Sequence, residues 1–277
     1  MPKPTCKPTI ELITPKRAKE MLARNTNNYR KKDPRLAKKY SLDMTNDRWK
    51  FQGDPIKFAE NGTLYDGQHR LQAVVDSGRP QWFLVLWKMP DENISLASED
   101  TGRKRSVASH LTFNGLTKVR TKAASARQLI LMADSSREAP LITDSEIAEF
   151  VRDNNEVFEE LMDACGTKAF EAFTPASLIT GLFCVYTVDE DVALEAARIA
   201  GLKETVSSDN PVLVARNQAL LARSRSEKRD PRYDIAMVAR ACKCLRDGES
   251  VRHFRRSVKF AYPGFSVDSL QGAVQCT

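Results

Sequence analysis

Gly62-Thr-Leu-Tyr-Asp66-Gly67-Gln68-His69-Arg70-Leu71 is the stretch whose reading decides the fold. Asn61-Gly62 just before it is a strong hairpin-turn signal. Ile56-Lys57-Phe58 alternates as a strand on one side of that turn, and Thr63-Leu64-Tyr65 returns as its partner. Asp66-Gly67 closes the second strand. From Gln68 to Ser77, Leu71, Val74 and Val75 fall at helical spacing, and Gly78 stops the helix. The free backbone N–H groups of a first helical turn attract anions, and Arg70 adds a guanidinium fork beside them. His69 can exchange protons near neutral pH, and Asp66 can hold a cation, orient His69 or act as a base. Asp66, His69 and Arg70 are therefore the candidate catalytic residues, with Gly67, Gln68 and Arg70 as candidate phosphate binders. The same residues also fit a plain helix start, with Asp66 as N-cap, Gly67 as the turn and Arg70 as a solvated side chain.

Upstream, Ile10 to Ile13 reads as a short strand, and residues 1–9 as an extended Pro- and Lys-rich tail. Thr14-Pro15 opens a helix to Asn25, and Asp33-Pro34 opens a second through Met44, with Leu36, Tyr40 and Met44 one turn apart. Downstream, Trp82-Phe-Leu-Val-Leu-Trp87 is a short apolar run expected as a buried strand. Residues 91–97 and 106–113 read as short helices. Beyond residue 118 the strand signals stop, and helices are expected near 118–134, 144–152, 154–164, 175–187, 190–200, 211–224, 231–247 and 249–259. The expected architecture is α+β: a small mixed sheet with helices, followed by an all-α domain. The boundaries this suggests are 1–9 (tail), 10–117 (α+β domain), 118–260 (helical domain) and 261–277 (C-terminal tail).

The 277 residues carry a formal net charge of +7, unevenly placed. Residues 1–50 are net +9, residues 51–215 net −9 and residues 216–259 net +8. A basic–acidic–basic chain suggests a polyanionic partner touched by both ends, the alternative being a surface whose charges balance in space. Arg30, Lys31 and Lys32 form one candidate DNA contact, with Arg35, Lys38 and Lys39 nearby. The other comprises Arg252, Arg255, Arg256 and Lys259, interleaved with His253 and Phe254 and preceded by Arg216, Arg223, Arg225, Lys228, Arg229 and Arg232. Residues 144–151 and 153–158 have the spacing of a helix-turn-helix, but Glu156, Glu159, Glu160 and Asp163 would repel phosphates. No apolar run is long enough to cross a membrane, and the N-terminus lacks the apolar core of a secretory signal. The six cysteines (6, 165, 184, 242, 244 and 276) contain no C-x-x-C pair and are expected as reduced cytoplasmic thiols rather than zinc ligands.

Leu64-Tyr-Asp-Gly-Gln-His-Arg-Leu-Gln-Ala73 resembles the signature of the ParB/sulfiredoxin superfamily, in its Asp-Gly-Gln-His-Arg branch found in phage and mobile-element proteins. Ile13-Thr-Pro15, Asn28-Tyr-Arg30, Asp47-Arg-Trp49, Asp54-Pro-Ile56 and Asp100-Thr-Gly-Arg-Lys-Arg-Ser106 fall in the family's usual order, so the resemblance covers residues 10–115. It implies a nucleotide whose phosphates sit at Gly67 and Arg70. Members of the superfamily include a CTP-hydrolysing DNA clamp, an ATP-dependent sulfinic-acid reductase and ATP-dependent free-serine kinases. The reductase's catalytic cysteine has Gln68 in the corresponding place here, which speaks against that activity. The kinases' Asp-Gly-His-His-Arg resembles Asp66 to Arg70. The resemblance also implies a second phosphate clamp at Asp100, Thr101, Gly102, Arg103, Arg105 and Ser106, which by itself fits a solvent-facing Gly turn. The implied cofactors are ATP or another NTP with Mg²⁺, for which Asp66 is the candidate ligand and Asp43, Asp47 and Asp54 are candidate helpers. No P-loop is present.

The functional expectation is an NTP-dependent phosphotransferase or NTPase acting on or with DNA, for example as a kinase of a hydroxyl group on DNA. The alternatives are a nucleotide-switched DNA-binding protein without turnover and a metal-dependent nuclease. The oligomeric state stays open, a homodimer included.

Overall fold

A computed structural model describes residues 6–25, 33–89, 106–113, 115–133, 141–227, 230–257, 259–266 and 270. The chain divides into two compact units. One is Met1–Arg105 with Leu141–Glu146, and the other is Ser106–Pro140 with Ile147–Thr277.

The first unit holds β1 (Lys7–Ile13), α1 (Pro15–Leu22), α2 (Pro34–Thr45), β2 (Pro55–Ala59), β3 (Leu64–Asp66), α3 (Gln68–Ser77) and β4 (Gln81–Met89). The sheet order is β1-β4-β2-β3. β1–β4 and β2–β3 are antiparallel, and β2–β4 is parallel. This is the mixed α+β architecture with a small sheet expected from the alternation at Ile56–Phe58 and the apolar run Trp82–Trp87. β1 starts three residues earlier than the apolar run suggests, because Lys7, Pro8 and Thr9 pair with Trp87, Leu86 and Val85.

Thr14 and Asp33 cap α1 and α2, each with proline in the first turn. Their side-chain oxygens satisfy N–H groups that a helix start leaves open. Strand periodicity then decides which face is covered. Ile13, Ile56, Phe58, Phe83 and Val85 form a buried core with Met21, Met44, Leu71 and Val74 of the helices. Both α1 and α2 pack on α3. Trp87 stacks on Phe58 at 4.3 Å, while Trp49 meets Tyr40 edge-on at 5.3 Å and Phe83 at 5.8 Å.

Among its described residues the second unit holds helices and no strand. They are α4 (Val107–Phe113), α5 (Val119–Ala133), α6 (Asp144–Asp153, whose first residues belong to the first unit), α7 (Asn155–Ala172), α8 (Pro175–Tyr186), α9 (Glu190–Ala200), α10 (Pro211–Ser224) and α11 (Pro231–Arg246). α8 is buried along its length and packs on α5, α7, α9 and α11. Gly181 lets it approach α11, since a Cβ there would lie 2.9 Å from Val238. No helix of the described residues is long and apolar enough to cross a membrane.

The helix expected near 154–164 is interrupted close to its expected end, where the backbone of Gly166 (φ 61°, ψ −172°) is non-helical, and a further helical stretch that the sequence reading did not include follows to Ala172. The helix expected at 249–259 does not form in the described residues of that range. Its backbone is bonded elsewhere: Val251 N–H donates to the Asp209 carbonyl at 3.1 Å, and Phe254 N–H donates to Gln218 Oε1 at 3.0 Å. These partners replace the i−4 carbonyls that a helix would supply. The expected helix 91–97 lies outside the described residues.

Candidate functional site

β3 runs into α3 through Gly67, at φ 102°. A Cβ at this position would lie 2.9 Å from Ile56 Cγ1 and 3.2 Å from its Cα, so both the left-handed backbone and the close approach to β2 require glycine. Gly67, not Asp66, is the N-cap, and it supplies no side-chain acceptor to the first turn. Asp66 is the last residue of β3, and its Oδ1 accepts the Gly67 N–H at 2.7 Å.

The other oxygen of Asp66 faces two cations, Arg70 Nη2 at 3.3 Å and Lys57 Nζ at 3.7 Å. Strand register makes the second contact, because Lys57 stands opposite Asp66 across β2–β3. Arg70 also donates to the Pro55 carbonyl at 2.9 Å, and its side chain is only 16% exposed. Its Nε is buried with no hydrogen-bond partner among the described residues. Tyr40 of α2 joins this group. Burial raises its phenol pKa, the Arg70 charge lowers it, and the charges of Asp54 and Asp66 raise it further.

His69 uses its Nε2 to accept the backbone N–H of Asp33 at 2.8 Å. An imidazole accepting at Nε2 carries its proton on Nδ1. Gln68 is 5% exposed and accepts from Asn25 Nδ2 at 3.1 Å. It therefore joins α3 to the end of α1, rather than reaching out as a phosphate binder would.

Asp66, Gly67, Gln68, His69 and Arg70 are thus brought together, and sequence reasoning missed Lys57, Tyr40, Asn25, Asp33 and the Pro55 carbonyl. The hairpin register could have located Lys57. The other contacts depend on how α1 and α2 pack. Asp66 does not fit as a Mg²⁺ ligand: Oδ1 is held by the Gly67 N–H, and two cations compete for Oδ2. Among the described residues no group of three or more His, Cys, Asp or Glu side chains could hold a metal. Asp43 lies apart as a helper. Its carboxylate accepts from Thr143 Oγ1 at 2.7 Å and Ser145 Oγ at 3.3 Å, and burial raises its pKa.

Asp100, Thr101, Gly102, Arg103 and Arg105 of the second clamp, and Arg30, Lys31 and Lys32 of the basic loop, lie outside the described residues. Ser106 is exposed just before α4.

In the second unit the expected basic face is divided. Arg216 is 6% exposed and donates to the Ala200 and Lys168 carbonyls, so it is a core residue. Arg223 donates to the Phe170 and Glu171 carbonyls near the end of α7. Arg232 pairs with Asp230, and Arg256 with Glu227. Arg252 and Arg255 are exposed. Comparison with protein-family models, with curated proteins and with solved structures finds no match.

Proposed function

We propose that the first unit binds a nucleoside triphosphate with its phosphates at the β3–α3 turn, and that the protein is a phosphotransferase or NTPase acting on or with DNA. The observation that carries this reading is the start of α3. Gly67 supplies no side-chain cap, and the Nε of Arg70 beside it is buried with no hydrogen-bond partner among the described residues. An anion placed there would meet the positive end of a helix and a guanidinium together. Lys57 adds a second positive charge. The resemblance of Leu64–Ala73 to the ParB/sulfiredoxin signature supports the same ligand. In this reading Gly67 keeps the backbone close, Arg70 and Lys57 neutralise phosphate charge, and Asp66 exchanges part of its pairing with them for an acceptor hydroxyl. A hydroxyl on DNA is the proposed acceptor.

A second reading, nucleotide binding without turnover, is favoured by His69. Its Nε2 lone pair is already used by Asp33, so proton abstraction at that atom would first require breaking this bond.

A thermal-shift series with ATP, CTP, GTP and UTP, followed by product analysis with and without DNA, tests both. A selective rise in Tm that is lost in Arg70→Ala supports the site. Product formation lost in Asp66→Ala supports the phosphotransferase, and tight binding without product supports the switch. No shift with any nucleotide rejects both.

A further inference from the structure

From Asp247 to Ser266 the described residues form neither helix nor strand, yet the chain is fastened down at fixed points. Gln218 brackets Phe254 from both sides, accepting its N–H at 3.0 Å and donating to its carbonyl at 2.8 Å, as a neighbouring strand would. Arg240 lies 5.5 Å over the Phe254 ring and donates to the Arg255 carbonyl at 2.8 Å. Further on, Tyr262 donates to Asp189 Oδ2 at 3.0 Å under the guanidinium of Arg246. Phe254 and Tyr262 are buried anchors. Between and around them Arg252, His253, Arg255 and Lys259 are exposed. None of these four side chains has an acidic partner among the described residues, whereas Arg256 and Arg246 are paired with Glu227 and Asp247.

Directly after Lys259 the character of the surface changes. Phe260 and Phe265 meet at 4.7 Å with their rings inclined by 59°. With Lys243 of α11 they line a groove of about 270 Å³. Arg252, Arg255 and Lys259, without an acidic partner among the described residues, followed by an aromatic groove that Lys243 also lines, combine two chemistries. The cations suit a phosphate backbone, and the rings suit the flat faces of unstacked bases. A duplex keeps its base faces covered, and an acidic peptide has no need of the rings.

We infer that this anchored strap, with the groove beside it, is a binding surface for single-stranded nucleic acid. It belongs to the second unit alone and stands or falls separately from the nucleotide reading.

Fluorescence anisotropy of a labelled oligo-dT on the full chain tests it, with a duplex of equal length and a polyglutamate peptide as competitors. The single strand is expected to bind more tightly than either. Arg252→Gln/Arg255→Gln/Lys259→Gln should weaken it at least ~10-fold and reduce the slope of log K against log salt by about 2, at about 0.7 per lost contact on a single strand. Phe260→Leu/Phe265→Leu keeps the apolar bulk and should weaken the single strand several-fold. Unchanged thermal unfolding of the exposed triple variant checks that folding is intact. Absence of oligo-dT binding, competition by duplex or polyglutamate at equal concentration, or an unaffected triple variant would overturn the inference.

Discussion

The backbone N–H of Asp33 and the Nε2 of His69 meet at 2.8 Å, joining the residue that caps α2 to the first turn of α3. Asp33 uses its side chain for its own helix and its main chain for the neighbouring one. His69 is therefore first a positioning residue, since it fixes where α2 begins beside the Gly67 turn.

Replacing His69 separates that role from a chemical one. His69→Ala should lose about 0.5–1 kcal/mol of stability, the usual net value of one such hydrogen bond, as measured by urea unfolding. His69→Gln offers an acceptor oxygen but no titrating group. If His69 only positions, nucleotide binding survives in the glutamine variant. A proton-transfer role instead predicts binding with turnover abolished.

Gly67→Ala should be costly. The added methyl would sit 2.9 Å from Ile56, at a backbone angle that only glycine adopts freely. Strain of this kind is worth about 1–3 kcal/mol, to be read as a lower urea midpoint at unchanged m-value. A neutral substitution would mean that β2 and the turn relax apart.

The fold was legible where local chemistry sets it. Asn61-Gly62, Thr14-Pro15 and Asp33-Pro34 mark turns and caps within a few residues of themselves, and the alternation at Ile56–Phe58 and the run Trp82–Trp87 carry the sheet. Residues 249–259 misled because helical propensity is weak against Gln218 and Asp209, which reach that backbone from distant positions in the chain. The candidate site was legible as Asp66 to Arg70. Tyr40 and Asn25 were not, since each arrives on a different helix. Arg216 read as surface charge because nothing in its own helix announces the two carbonyls that receive it.

Asp43 should make stability depend on pH. Burial raises its pKa above the ordinary 3.8 in the folded state. The folded chain therefore holds this proton more tightly than the unfolded one. The resulting stabilisation is full below the unfolded pKa and is lost as pH rises through the folded value. Asp43→Asn has no such dependence. Urea unfolding at pH 3 and pH 7 should show wild type losing ground to the asparagine variant as pH rises. Parallel behaviour would mean that Thr143 and Ser145 fully compensate the buried charge.

Lys122 is fully buried in the second unit, where its ammonium pairs with Glu159 and donates to Asn155 Oδ1 at 2.7 Å. Glu159→Ala would strand that charge and should cost about 3 kcal/mol, reduced to the extent that Asn155 and water substitute. Lys122→Met removes the charge with its demand for a partner and should cost less. Chemical unfolding of both variants checks the order.

Thr143 and Ser145 lie 100 and 102 residues beyond the carboxylate they satisfy. The first unit is therefore finished by a segment made long after its sheet. During synthesis, at roughly 5–20 residues per second, Asp43 waits on the order of 5–20 s for its partners to emerge. Because Leu141–Glu146 returns to this unit, no single cut in the chain can release it whole. It is a module in space but not along the message that encodes it, and shuffling at either edge of residues 106–140 would separate it from its own last piece.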